Sequence, residues 1–200
     1  MDLNVKAVCY DIENVEVDPS LALRFLRVRS EVDDSFKDIF KECLSEFYAA
    51  VSYKVCYRVF DISIDGKNIN FSDEMVLSSE KLSANLRNCK KAVVFVATTS
   101  LSVDRLISKH IDLRVSKALL IDAIGSAAVE ALCDKFSHDL SKELKVDFRP
   151  RFSPGYGDLS IVCQKDVMKV LDTARKIGVT LNDNHMMIPR KSVSAIMGIE

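Results

Sequence analysis

Residues 53–64 alternate apolar and polar side chains, pass through Asp65-Gly66-Lys67-Asn68 and resume as an apolar run over residues 69–71. An Asp-Gly turn between two such runs predicts a β-hairpin, because the turn matches the twist of the strands it joins. The apolar set is Val55, Tyr57 and Val59, then Phe60, Ile62 and Ile64. A chain with this hairpin must bury a face of antiparallel sheet, and the rest of the sequence has to supply the cover. The unbroken run Ala92-Val93-Val94-Phe95-Val96-Ala97 predicts a fully buried strand over residues 91–98.

The cover is predicted to be helical. Over residues 33–50, Phe36, Ile39, Phe40, Cys43, Leu44, Phe47 and Tyr48 recur at three-and-four spacing, an amphipathic helix. Asp18-Pro19-Ser20 is a cap with proline in the first turn of a short helix. Residues 79–86, 101–111 and 164–177 also read as helices, and 113–140 as a helix broken or bent inside. Residues 146–152 read as extended and 154–158 as a loop. A second hairpin is expected at the end, 186–188 with 193–199, turning at Pro189-Arg190-Lys191. Helices and antiparallel strands in mixed order make the fold class α+β rather than a βαβ winding.

Two hundred residues, 48% hydrophobic, suit one domain or at most two small ones. Basic and acidic side chains number 28 and 29, which argues against a general nucleic-acid binder. No apolar stretch is long enough to cross a bilayer. Residues 1–10 show no basic segment followed by an apolar one, so no secretory signal is read and the cytoplasm is expected. The six cysteines include no CxxC pair, and the three histidines are scattered, so no metal site is proposed. Cys9, Cys56, Cys133 and Cys163 sit among apolar or alternating neighbours and are expected to be reduced, buried thiols.

Three segments offer chemistry. Arg151-Phe152-Ser153-Pro154-Gly155-Tyr156-Gly157-Asp158 contains Gly-x-Gly but lacks the third glycine of a dinucleotide fingerprint and the lysine and serine of a phosphate loop. Its glycines and proline suit close approach of backbone to a ligand. Its arginine suits a bidentate contact to a carboxylate, and Tyr156 adds a flat face. Taken alone, it also reads as a surface turn. The second segment carries Asp122, Ser126, Glu130, Asp134 and His138 at successive fourth positions, a polar stripe on one helix face. Such a stripe reads as solvated unless something cationic docks on it. In it, Gly125 and the neighbouring alanines leave room for another backbone. The third segment runs from Thr180 through the Met186-Met187 pair and Pro189 to Ser192 and Ser194. Its methionines read as core filler and its serines as one face of a strand.

Together, Asp122-Ala-Ile-Gly-Ser-Ala-Ala-Val-Glu130-Ala-Leu, Arg151-x-Ser-Pro-Gly155-Tyr156-Gly-Asp, Ile177-Gly-Val-Thr-Leu, Met187-Ile-Pro189 and Lys191-Ser-Val-Ser-Ala resemble the activation (reactivation) domain of cobalamin-dependent methionine synthase. The resemblance covers residues 115–199; over 1–110 it rests on overall order alone. It implies a single activation-domain-like unit over 1–200, with a mixed, mostly antiparallel sheet and flanking helices. No cobalamin-, folate- or homocysteine-binding module precedes these segments, so the chain looks most like a stand-alone relative.

The resemblance further implies binding of S-adenosylmethionine, as the methyl donor in reductive reactivation of cob(II)alamin. The chain would then be a component of a methyltransferase of methionine biosynthesis. Implied partners are a cobalamin-carrying methionine synthase subunit and a one-electron donor such as flavodoxin, with no nucleic acid and no membrane. Position by position, Arg151 would hold the ligand carboxylate, Ser153 and Gly155 would offer backbone contacts, and Tyr156 would line the pocket. Glu130 would face the ammonium. No catalytic side chain is implied, since cobalt is the nucleophile and the protein supplies orientation and electrostatics. The sequence departs from the family at Gly157-Asp158-Leu159-Ser160, where the large enzymes carry Pro-Ala-Cys-Pro and a histidine, and at Ile196 and Met197, which replace an aromatic pair. Two alternatives stand beside this reading: a non-catalytic module that binds or caps a corrinoid protein, and a reactivator of another corrinoid methyltransferase. An ordinary S-adenosylmethionine methyltransferase is disfavoured, since no Gly-rich loop follows an early strand.

Overall fold

The computed structural model describes residues 4–27 and 33–200, so residues 1–3 of the amino-terminal reading lie outside it. Its elements are β1 (Lys6–Tyr10), α1 (Pro19–Phe25), α2 (Asp34–Ala50), β2 (Tyr53–Asp65), β3 (Asn68–Phe71), β4 (Met75–Ser78), α3 (Glu80–Asn85), β5 (Lys91–Thr98), α4 (Leu101–Ile111) and α5 (Val115–Leu144). They continue with α6 (Gln164–Leu171), α7 (Thr173–Ile177), β6 (Thr180–Leu181), β7 (Met187–Ile188) and β8 (Ser192–Ile199). The main sheet runs β4-β3-β2-β5-β8 with β1 added on β2, and every described pairing is antiparallel. The β2–β3 hairpin turns at Gly66, whose φ is +57°. Among the described residues, no helix is long and apolar enough to cross a membrane.

The run 92–97 is apolar throughout because the sheet is covered on both faces. Successive side chains of a strand point to opposite sides. Accordingly Val93, Phe95 and Ala97 join a core with Tyr57, Ile121 and Phe136, while Ala92, Val94 and Val96 join a second core with Phe71, Leu82 and Leu171. In β2, Val55, Tyr57 and Val59 belong to the first core, and Phe60 to the second with Ile62 and Ile64 packed against it. Helices α1, α2, α4 and α5 cover the first face; α3, α6 and α7 cover the second.

Asp18 caps α1 through the N–H of Ser20, and Asp33 caps α2 through the N–H of Phe36. Helix α5 is continuous over Val115–Leu144, against the expected break. Gly125 does not interrupt it, because the missing Cβ serves packing: a methyl there would lie 3.1 Å from Cγ of Lys191. A lysine side chain, rather than another backbone, occupies that face. The helix expected over 164–177 is instead two, separated at Asp172 with φ 49°.

The second hairpin does not form. β7 pairs with β6, whereas β8 pairs along its length with β5, from Thr98↔Ser192 to Lys91↔Ile199. A strand apolar on both faces gains more beside the central strand than from a partner two residues long. Cys56 and Cys133 are buried as expected, together with Cys43 and Cys89. Cys9 is exposed, because β1 alternates and residue 9 lies on its outward side; Cys163 is half-buried.

Candidate functional site

After α5 the chain returns along the edge of β8. Phe152 and Ile196 exchange both backbone hydrogen bonds at 2.9 Å, and the Phe152 ring enters the second core. Arg151, one residue earlier, therefore projects to the other side, toward α5. Its Nη2 donates to Glu130 Oε2 at 2.9 Å and its Nη1 to Asp134 Oδ1 at 2.7 Å. Nearer the start of α5, Lys191 Nζ lies 2.9 Å from Asp122 Oδ1 and donates to Ser126 Oγ at 2.9 Å. Two cations thus dock on the stripe 122–134, so it is not merely a solvated face, although Asp134 stays exposed, as does His138.

The loop that follows is held from within. Gly155 N–H donates to Leu159 O at 2.8 Å, and Tyr156 N–H donates to Ser153 O at 3.1 Å. Gly155 has φ +84° and Gly157 φ +61°, a region glycine enters without penalty. The Gly155 amide is thus committed to the turn rather than free for a ligand. Tyr156 is 69% exposed, and its ring meets Phe152 edge-on at 5.6 Å. Asp158 anchors the far end of the loop on α3. Its carboxylate accepts from the Ser79 hydroxyl at 2.5 Å and from the Glu80 and Lys81 N–H groups at 2.7 and 3.3 Å. The Ser79 hydrogen bond, followed by those backbone donors, holds Asp158 below its ordinary carboxylate range.

This loop forms a ridge with a cavity on each side. One, of about 700 Å³, is bordered by Glu130, Ser153, Gln164, Met186, Arg190 and Ser194. The other, of about 620 Å³, is bordered by Lys81, Asn85, Arg151, Phe152, Ser153 and Tyr156. Both are of a size that holds small-molecule ligands. Of the residues singled out from sequence, Glu130 and Ser153 face the first and Arg151, Ser153 and Tyr156 the second. Gln164, not singled out in the sequence, and Ser194, read there only as one face of a strand, form a buried chain beside the larger cavity. Ser194 Oγ donates to Gln164 Oε1 at 2.8 Å, and Gln164 Nε2 donates to His185 O at 2.6 Å. The alternation of Ser192 and Ser194 was their only trace in the sequence. Asp134 belonged to the stripe, but nothing local tied it to Arg151. Cys133, beneath these carboxylates, has its thiol pushed up to about 12 by burial, so it is protonated at neutral pH and is no nucleophile.

The fold is that of an α+β domain with one antiparallel sheet between two helical layers. Among solved structures it is similar to the crystal structure of the MetH reactivation domain bound to AdoHcy, with TM-score 0.75 and 15% sequence identity over 98% of this chain and 78% of that one. That likeness shows the fold. No protein-family model matches the sequence, and no curated protein does.

Proposed function

We propose that this chain binds S-adenosylmethionine at the 151–156 ridge and serves as the reactivation subunit of a separate cobalamin-carrying methionine synthase, served by a one-electron donor such as flavodoxin. The observation that carries the reading is the meeting of Arg151 with Glu130, with Arg151 and the exposed Tyr156 bordering the same cavity. An α-amino-acid end needs one cation and one carboxylate, and a nucleoside needs a flat face; the ridge supplies the cation and the ring, and α5 the carboxylate. The likeness to a domain solved with AdoHcy bound supports the same ligand class.

The chemistry supplied by the bound ligand is a sulfonium methyl, with the corrinoid carried by the partner. The residues of this chain bind and orient. Arg151 takes the carboxylate, Glu130 the ammonium, and Tyr156 covers the ligand against water, which strengthens both charge contacts. Around the ridge Tyr156, Met186 and Ile188 are exposed apolar side chains, a surface on which a partner can close.

Calorimetric titration with S-adenosylmethionine tests the reading. The folded protein is expected to bind, and Arg151→Ala to weaken binding about tenfold to a hundredfold, the range for hydrogen bonds to charged groups. Unchanged affinity in that variant removes the assigned role of Arg151. A folded wild type that binds nothing overturns the methyl-donor reading and favours a non-catalytic module that caps a corrinoid protein.

A further inference from the structure

The guanidinium of Arg151 is already shared between two carboxylates. Its two terminal nitrogens serve two different carboxylates, Asp134 at 2.7 Å and Glu130 at 2.9 Å. These lie four residues apart on one face of α5. A ligand carboxylate taking the planar fork of an arginine bidentately needs two parallel N–H donors on one edge. With one N–H of each terminal nitrogen engaged, a ligand carboxylate either takes the remaining N–H groups against the repulsion of two neighbouring carboxylates or displaces one of them. The two are not equivalent: the Asp134 side chain is 75% exposed, that of Glu130 39% and that of Arg151 26%. Asp134 returns to water most readily, and among the described residues no other ion pair holds it.

We infer that Asp134 is an internal competitor for the ligand carboxylate, a residue that lowers affinity for amino-acid-bearing adenosyl ligands by occupying Arg151 until they arrive. This inference rests on the carboxylate role proposed for Arg151. It differs in sign from a supporting role: if Asp134 merely oriented Arg151, its removal would weaken binding. It also differs from a general charge effect. S-adenosylmethionine carries a net positive charge, so losing a nearby carboxylate disfavours it on Coulomb grounds. AdoHcy is a neutral zwitterion that escapes this penalty, and 5′-methylthioadenosine has no carboxylate to compete with.

The test is titration of the whole chain and of Asp134→Asn, Asp134→Ala and Arg151→Ala with AdoHcy, S-adenosylmethionine and 5′-methylthioadenosine, at low and high salt. Both Asp134 variants are expected to bind AdoHcy about three- to fivefold tighter at low salt, the scale of an exposed ion pair. The gain should be smaller for S-adenosylmethionine, absent for 5′-methylthioadenosine, and reduced by salt. Unchanged or weaker AdoHcy binding in both variants overturns the inference, as does an equal gain with 5′-methylthioadenosine. If wild type binds and Arg151→Ala binds equally well, the carboxylate role itself fails, and the inference with it. If wild type binds and Arg151→Ala does not, while the Asp134 variants match wild type, only the competition is wrong. Absence of binding in every protein overturns both.

Discussion

Asp158 stands where the resembled family carries a different sequence, and here it ties the loop to α3. It closes the 154–158 turn onto the first turn of α3 by accepting from the Ser79 hydroxyl and from two backbone N–H groups that the helix cannot satisfy itself. Ser79 meanwhile accepts from Leu82 N–H at 2.9 Å, so one hydroxyl joins loop and helix. Gly157 sits against the same helix: a methyl there would lie 2.8 Å from Cδ of Lys81. The Asp158 carboxyl is held below its ordinary value of 3.8, chiefly by Ser79. A depressed folded-state value means stabilisation that is present above the unfolded value and lost as pH falls through the folded one. Asp158→Ala is therefore expected to lower the melting temperature at neutral pH, and the gap from wild type should close as pH is taken below 3.8. A gap that stays constant from pH 7 to pH 3 would assign the effect to something other than the carboxylate charge.

Helices α2, α4 and α5 are tied at their meeting point by a polar cluster within an apolar layer. His110 Nε2 lies 2.6 Å from Glu46 Oε2, and Lys117 Nζ lies 3.1 Å from Glu46 Oε1 while also pairing with Glu42. Lys117 is only 5% exposed, so these carboxylates are what allow its charge there. The His110 contact, first, and the Lys117 contact hold Glu46 below its ordinary 4.5; the Glu42 contact, first, and then Glu46 hold Lys117 above its ordinary 10.5. The lowered carboxyl contributes above about pH 4.5 and the raised ammonium below about pH 10.5, so both act together between those limits. Glu46→Gln should thus lower thermal stability across that window, by an amount that shrinks as pH falls below 4.5, as melting curves at several pH values would show. An equal loss at pH 3 and pH 7 would exclude the charge account. None of this cluster was legible in the sequence, since its members come from helices separated by the whole β2–β5 hairpin region. The β2–β3 hairpin was legible because its period and turn are local. β1 was missed as a five-residue edge strand with no fully buried position, and β8 was given the wrong partner because strand choice depends on which sheet edge is free. The stripe on α5 was legible as a period, while its cations were not, because the Phe152–Ile196 pairing aims Arg151 at it.

Across the whole molecule, one sheet divides two cores, and the candidate site draws on both. Phe152 anchors the ridge in the second core, whereas Glu130 and Asp134 stand on α5, which packs over the first. Loss of either core strips one wall from β2, β5 and β8, whose side chains alternate between the two. We therefore expect the described cores to unfold in one cooperative transition rather than as separable lobes. Adjacent residues of β5 provide the test. Phe95 packs toward Phe136 with ring centroids 4.9 Å apart, and Val94 faces the opposite core; both are fully buried. Phe95→Ala should cost about 3–5 kcal/mol and Val94→Ala about 2 kcal/mol, from lost burial and the cavity left behind. Each variant should shift a single denaturant transition, followed at once through the methyl resonances of Ile124 in one core and Ile196 in the other. Were Phe95→Ala to move the Ile124 transition and leave that of Ile196 in place, the cores would be independent, and the ridge would be a hinge between two bodies rather than part of one rigid scaffold.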